Sequence, residues 1–93
     1  MRRIERTSAF KRDYKREKAG QHRRVLDELL GTVVAALAED RPLPPSNRDH
    51  ALLGEWKDCR DCHLRPDLVL MYRKPDAHTL QLIRLGSHAE LFG

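Results

Sequence analysis

The sequence has no apolar run long enough to cross a bilayer, and no apolar h-region follows its basic N-terminus. A membrane span and a visible secretory signal are thereby excluded, and a cytoplasmic protein is the expectation. Aromatic residues are scarce: two Phe, two Tyr and one Trp. Only two cysteines occur, and a disulfide between them is not expected in the cytosol. Internal repeats and low-complexity tracts are absent. What is present is an ordinary globular composition in 93 residues, 34% charged and 40% hydrophobic. That length makes one domain, residues 1–93, with a thin core.

Charge is unevenly spread. Residues 1–24 hold ten Lys and Arg against three acids, a balance of +7, which leaves −3 for the rest of a chain whose total is +4. Such a cluster suits a phosphate backbone, and it equally suits a solvated helix face.

The periodicity predicts a strand, two helices and then strands. Arg2–Arg6 reads as a short edge strand with Ile4 inward. Thr7 or Ser8 caps a helix whose Phe10 and Tyr14 share a face, and Gly20 stops it. Val25, Leu26, Leu29, Leu30, Val33, Val34 and Leu37 recur at helical spacing, and Gly31 among them suggests close packing on a sheet. Arg41–Asp49, with three prolines, is an extended loop. Lys57–Leu64 reads as a strand, and Leu64–Asp67 as a tight turn. The wholly apolar Leu68–Tyr72 reads as a central strand buried on both faces. Lys74–His78 is a hairpin loop, Thr79–Leu85 its return strand, and Ser87 the cap of a short terminal helix.

Groups able to move or hold charge stand at the ends of these apolar runs: His50, His63, Asp67, Arg84 and His88. If Arg73 pairs with Thr79, paired positions sum to 152 and Leu68 lies opposite Arg84. His63, the Asp67–Leu68 step and Arg84 then form one row, with strands roughly 5 Å apart. His88 folds back toward the row, and Phe92 shares its helical face. Metal-free RNA cleavage needs this set of groups. A base takes the 2′-hydroxyl proton, an acid protonates the leaving 5′-oxygen, and a cation holds the phosphorane charge. An aromatic ring can stack on a base.

Each residue alone reads as structural. His50 reads as a hinge histidine, His63 as a turn cap, Asp67 as a turn residue, Arg84 as the partner of Asp67, and His88 as a helix-start residue. His22 and His78 read as solvated. Cys59-x-x-Cys62-His63 matches the c-type haem pattern, but no export signal accompanies it and the flanks read as strand. A zinc site on this pair lacks a second ligand pair. Two half-buried strand cysteines are the simpler reading, and neither metal nor cofactor is expected.

The run D-H-x-L-x-G-x-W-K-x-x-R-D-x-H-x-x-P-D, then L-x-Y, then R-x-G-S-H-A-E-L-F-G resembles the YafQ-type toxins of the RelE/ParE superfamily. The motifs cover Asp49–Gly93, and the N-terminal half matches in layout. The resemblance implies an α+β, microbial-ribonuclease-like domain of β-α-α-β-β-β order. Two N-terminal helices would pack on a twisted antiparallel sheet, with a short C-terminal helix. It implies metal-independent endonucleolytic cleavage of mRNA in the ribosomal A site. It implies site roles for His50, His63, Asp67, Arg84, His88 and Phe92, without assigning base and acid. Leu68 stands where an aromatic often follows the Pro-Asp pair, and it would occupy that residue's place against the substrate. The resemblance further implies a ribosomal RNA grip by Lys11, Arg12, Lys15, Arg16 and Lys18, and a RelB/DinJ-like antitoxin whose complex binds operator DNA. The alternative is a ParE-like, gyrase-directed member, or an antitoxin- and operator-binding module, without nuclease activity.

Overall fold

The computed structural model describes residues 1–93. The chain opens with β1 (Arg3–Arg6), the expected edge strand. Thr7 then accepts the Phe10 N–H through its side chain at 3.0 Å and so begins α1 (Ser8–Lys18). Basic residues crowd the last turn of α1, where they oppose the negative end of the helix dipole. A short turn leads into α2 (Leu26–Ala38), with Asp27 and Glu28 in its first turn. The proline-rich loop carries one 3₁₀ turn, Pro45–Asn47. The remaining elements are β2 (His50–Ala51), β3 (Arg60–Arg65), β4 (Leu68–Arg73), β5 (Thr79–Gly86) and α3 (His88–Phe92).

The five strands lie in the order β1-β5-β4-β3-β2. The α+β class and the element order hold, but the sheet is mixed rather than antiparallel, because β1 runs parallel to β5. Helix α1 returns the chain over the sheet, and β1 can therefore enter beside β5 in the same direction. The expected strand at Lys57–Leu64 begins only at Arg60, because a 3₁₀ turn at Gly54–Trp56 takes up the preceding residues. The two-residue His50–Ala51 strand was not expected.

Phe10, Leu26, Val33, Leu37 and Ala38 pack from the helices onto Cys62, Leu64, Leu68, Leu70, Tyr72, Leu80, Leu82 and Leu85. The sheet residues in this set alternate along β3 and β4, as one covered face requires, and on β5 the step from Leu82 to Leu85 is one longer where the register shifts. Val69 and Met71, on the other face of β4, are also fully buried, so the central strand is covered on both sides. Gly31 does not pack against the sheet: a Cβ there would meet nothing within 4 Å, and the residue lines a groove between α1 and α2. Both cysteines are buried rather than half-buried, and Cys59 precedes β3 instead of lying in it.

Register departs from the expectation. Arg73 pairs with Gln81, not Thr79, and a bulge between Met71 and Tyr72 then sets Met71 opposite Arg84. A second irregularity between His63 and Arg65 sets Leu68 opposite Arg65. Extra residues of this kind shift every later pair, and a period-two reading cannot detect them.

Candidate active site

The register builds two rows across the sheet. His50, Asp61, Met71 and Arg84 lie successively opposite one another on β2, β3, β4 and β5. The neighbouring row is His63, Val69 and Gly86. His88 begins α3 two residues beyond Gly86. A capping box holds that helix: Ser87 Oγ accepts the Glu90 N–H at 3.1 Å, and Glu90 Oε1 accepts the Ser87 N–H at 2.9 Å. A Cβ on Gly86 would stand 2.6 Å from Arg16 Nη2 and 2.9 Å from Glu90 Oε1, so a larger residue there would displace the tips of these two side chains.

These elements bring the histidines together. His63 Nε2 and His88 Nε2 are 3.5 Å apart, at the long limit for a shared proton, and their ring centroids are 5.3 Å apart. Phe92 sits 5.4 Å from the His88 ring and is partly exposed. His50 Nδ1 lies 2.8 Å from the Arg48 carbonyl oxygen and 3.1 Å from Asp61 Oδ1. Both neighbours are acceptors, so Nδ1 carries a proton. That proton is aimed at Arg48. Neither oxygen of Asp61 receives a hydrogen bond, and the contact with His50 is one of charge alone.

Asp61 went unnoticed in the sequence, where it is one acid among fourteen. Its signal was available: it stands two residues before His63, hence on the same face of β3. It is 0% exposed. Burial pushes its carboxyl above the usual range, and the charges of His50, His63 and His88 act to pull it back. A buried acid facing three imidazoles is the electrostatic centre of the site.

The other expected residues are placed differently. Arg84 is bonded to the buried Asp13 of α1, through Nε at 2.6 Å and Nη2 at 3.2 Å. Asp13 also accepts the Leu85 N–H at 3.0 Å and Arg16 Nη1 at 3.0 Å. Strand β1 stops at the level of Leu82, and this carboxylate serves the backbone beyond its end. Burial acts to raise the pKa of Asp13, but the Arg84 and Leu85 hydrogen bonds and the two guanidinium charges hold it below the usual range. Arg84 Nη1 stays free of partners. Asp67 accepts from Gln21 Nε2 at 2.7 Å and meets His22 Nε2 at 2.9 Å. Its bonds therefore run to the α1–α2 connection, and His22 is not the solvated residue expected. Leu68 is 0% exposed and belongs to the helix-side core, so it offers no surface to a substrate. Of the basic residues, Lys11, Arg12 and Lys15 are exposed and form no ion pair. Arg16 is tied to Asp13, Glu17 and Glu90, and Lys18 to Asp27. No three His, Cys, Asp or Glu side chains converge as a metal-holding group. No helix is long and apolar enough to cross a membrane.

Known proteins resemble this chain in sequence and in fold. A protein of Haemophilus influenzae named as a YafQ toxin is 42% identical over 62 residues, which span 63% of this chain and 61% of that protein. The mRNA interferase toxin YafQ of Escherichia coli K12 is 35% identical over 90 residues, 97% of this chain and 95% of its own. A metal-bound toxin from Helicobacter pylori superposes with a TM-score of 0.85 at 47% identity, covering 99% of this chain and 100% of that one. The toxin in the E. coli DinJ–YafQ toxin–antitoxin complex superposes at 0.80 with 33% identity, covering 99% and 98%. Residues 2–93 match the family described as the bacterial toxin of type II toxin–antitoxin systems, YafQ, and the chain belongs to that family.

Proposed function

We propose that this chain is an endoribonuclease that cuts mRNA in the ribosomal A site, without metal, and that a DinJ-like antitoxin silences it in a complex that binds operator DNA. The observation that carries the reading is the contact of His63 with His88 beside the buried Asp61. Two imidazoles that meet through Nε2 cannot both hold a proton there without repulsion. The pair can therefore divide the two roles, one ring serving as base and the other as acid. His50 adds a third imidazole, its Nδ1 held by the Arg48 carbonyl. In the step itself the substrate's 2′-oxygen attacks phosphorus as a histidine removes its proton. The bond to the 5′-oxygen breaks as another histidine protonates it, leaving a 2′,3′-cyclic phosphate and a 5′-hydroxyl. Asp61 stabilises the imidazolium that forms. Arg84, aligned by Asp13, turns Nη1 toward the phosphorane charge. Phe92 stacks on a base. Asp67, the acid expected beside the histidines in proton transfer, is half-exposed and held by Gln21 and His22. The relatives' names as mRNA interferases and the DinJ–YafQ complex support the same reading.

Primer extension on mRNA from cells expressing wild type, His63→Ala and His88→Ala tests it. In-frame cuts with wild type alone are expected, and they should persist on purified ribosomes with phenanthroline, which removes transition metals and spares magnesium. Growth arrest without cuts would shift the reading to a non-nuclease, gyrase-directed toxin.

A further inference from the structure

Beside the histidine cluster a groove of about 490 Å³ lies between the Ser46–Arg48 loop and the His63–Pro66 end of β3. His63 belongs to both, so the groove opens directly onto the proposed reaction centre. Its volume suits a nucleotide-sized ligand. Its lining holds one hydrophobic residue, no acid and two arginines, Arg48 and Arg65. Both are exposed, and neither forms an ion pair. Eight of the eighteen Lys and Arg are paired with carboxylates, and Arg48 and Arg65 are among the ten that are not; what sets these two apart is that they line one groove with no acid in it.

The loop that carries Arg48 is built. Asn47 Nδ2 donates to the His63 carbonyl oxygen at 2.7 Å, which ties the loop to β3. The Arg48 N–H donates to the Pro45 carbonyl at 3.0 Å, and the Arg48 carbonyl accepts from His50. Arg48 itself sits in the left-handed region, φ 48° and ψ 45°. Glycine or asparagine holds that conformation at less cost, and a residue kept there against its preference points to a task for its side chain.

We propose that this groove is a backbone subsite for RNA: Arg48 and Arg65 grip the ribose–phosphate of the nucleotide flanking the scissile phosphate. The inference rests on the ribonuclease reading and extends it. Arginine meets phosphate through paired N–H donors, and an acid-free groove of two arginines is complementary to an anion. The groove contains no Phe, Tyr or Trp on which a base could stack, and its one ring, His63, belongs to the reaction centre. Its grip is therefore on the backbone and carries no sequence information, in contrast to Phe92 at the other side of the cluster.

The test uses Arg48→Asn, which keeps the left-handed backbone and removes the charge, combined with Arg65→Gln. On mRNA-programmed ribosomes the double variant should raise KM about tenfold or more, hold kcat, and leave the choice of cleavage sites unchanged. Arg48→Lys with Arg65→Lys should recover most of the loss. A neutral methylphosphonate at the flanking position should weaken wild type and leave the double variant unaffected. Unchanged KM, a loss confined to kcat, or altered cleavage sites would each overturn the subsite. A second arm separates this outcome from failure of the nuclease reading. Wild-type toxin is titrated with a short RNA carrying 2′-deoxyribose at the cleavage position, and amide shifts are followed by NMR. Shifts at Asn47, Arg48 and Arg65 that vanish in the double variant support the subsite even if no cleavage is ever seen. Shifts confined to other faces sink it even if cleavage is confirmed.

Discussion

Asp61 is the residue whose charge the fold has least reason to tolerate. A buried carboxylate without a hydrogen-bond donor is costly, and neutralising it should relieve that cost. Its folded pKa lies above the unfolded value, so its contribution is fully favourable below the unfolded value and is lost as pH rises through the folded one. Asp61→Asn should accordingly gain on wild type as pH rises from about 3 to 7, by about 1.4 kcal/mol for each unit by which the wild-type carboxyl is raised. Thermal denaturation of both proteins across that range checks it, and a constant difference would show that Asp61 pays no such penalty. Cleavage should fall, about tenfold for each 1.4 kcal/mol of lost imidazolium stabilisation. At this scale the sequence was partly legible. His50, His63, His88 and Phe92 stood out because imidazole and aromatic groups are rare at the ends of apolar runs. The burial of Leu68 was legible in the apolar run Leu68–Tyr72, and the structure bears it out; its substrate role came from the resemblance alone, and a residue in the packed face of the sheet has no surface for it.

Among the elements, α3 matters most to the site and is the least able to form alone. Five residues are far too few for an isolated helix. It persists through the Ser87–Glu90 capping box, the buried Leu91 and the Arg16–Glu90 ion pair at 3.0 Å. Ser87→Ala should cost about 1 kcal/mol locally and fray α3. Amide exchange at residues 88–92 should accelerate by about fivefold, with the exchange of β4 unchanged. Cleavage should drop in step, since His88 and Phe92 ride on this turn. Protected amides in α3 would show that packing of Leu91 suffices. The capping residue and the helix were legible from Ser87 onward, and so were both longer helices from their apolar spacing. The parallel entry of β1 was not, because strand direction leaves no mark in a four-residue pattern. Nor were the two bulges: the pairing of Arg73 with Gln81 already moves Arg84 from Leu68 to the level of Leu70, and the bulge between Met71 and Tyr72 carries it one place further, into line with Met71.

At the scale of the whole molecule, the N-terminal excess of positive charge resolves into two populations. Arg16 and Lys18 are spent internally. Arg16 also donates to the Leu85 carbonyl at 2.9 Å, so it holds α1 to β5. Lys11, Arg12 and Lys15 remain exposed on α1, free to meet an external polyanion. Composition alone could not separate these sets, because an ion pair made across the fold leaves no trace in local charge. The distinction has a measurable consequence if α1 faces ribosomal RNA. Lys11→Glu with Arg12→Glu should fold as wild type, since neither side chain has an ion-pair partner to lose. Its affinity for ribosomes should fall, and the slope of log affinity against log salt should become shallower by about one for each phosphate contact removed. Arg16→Glu should instead lower the melting temperature, because it places a fourth acid against Asp13, Glu17 and Glu90. Sedimentation of toxin with ribosomes over a salt series, together with melting curves of the same variants, separates the two effects. Equal salt slopes for wild type and the Lys11–Arg12 variant would place the ribosome contact on another face of the molecule. The histidine cluster would then have to reach mRNA from a different docking orientation.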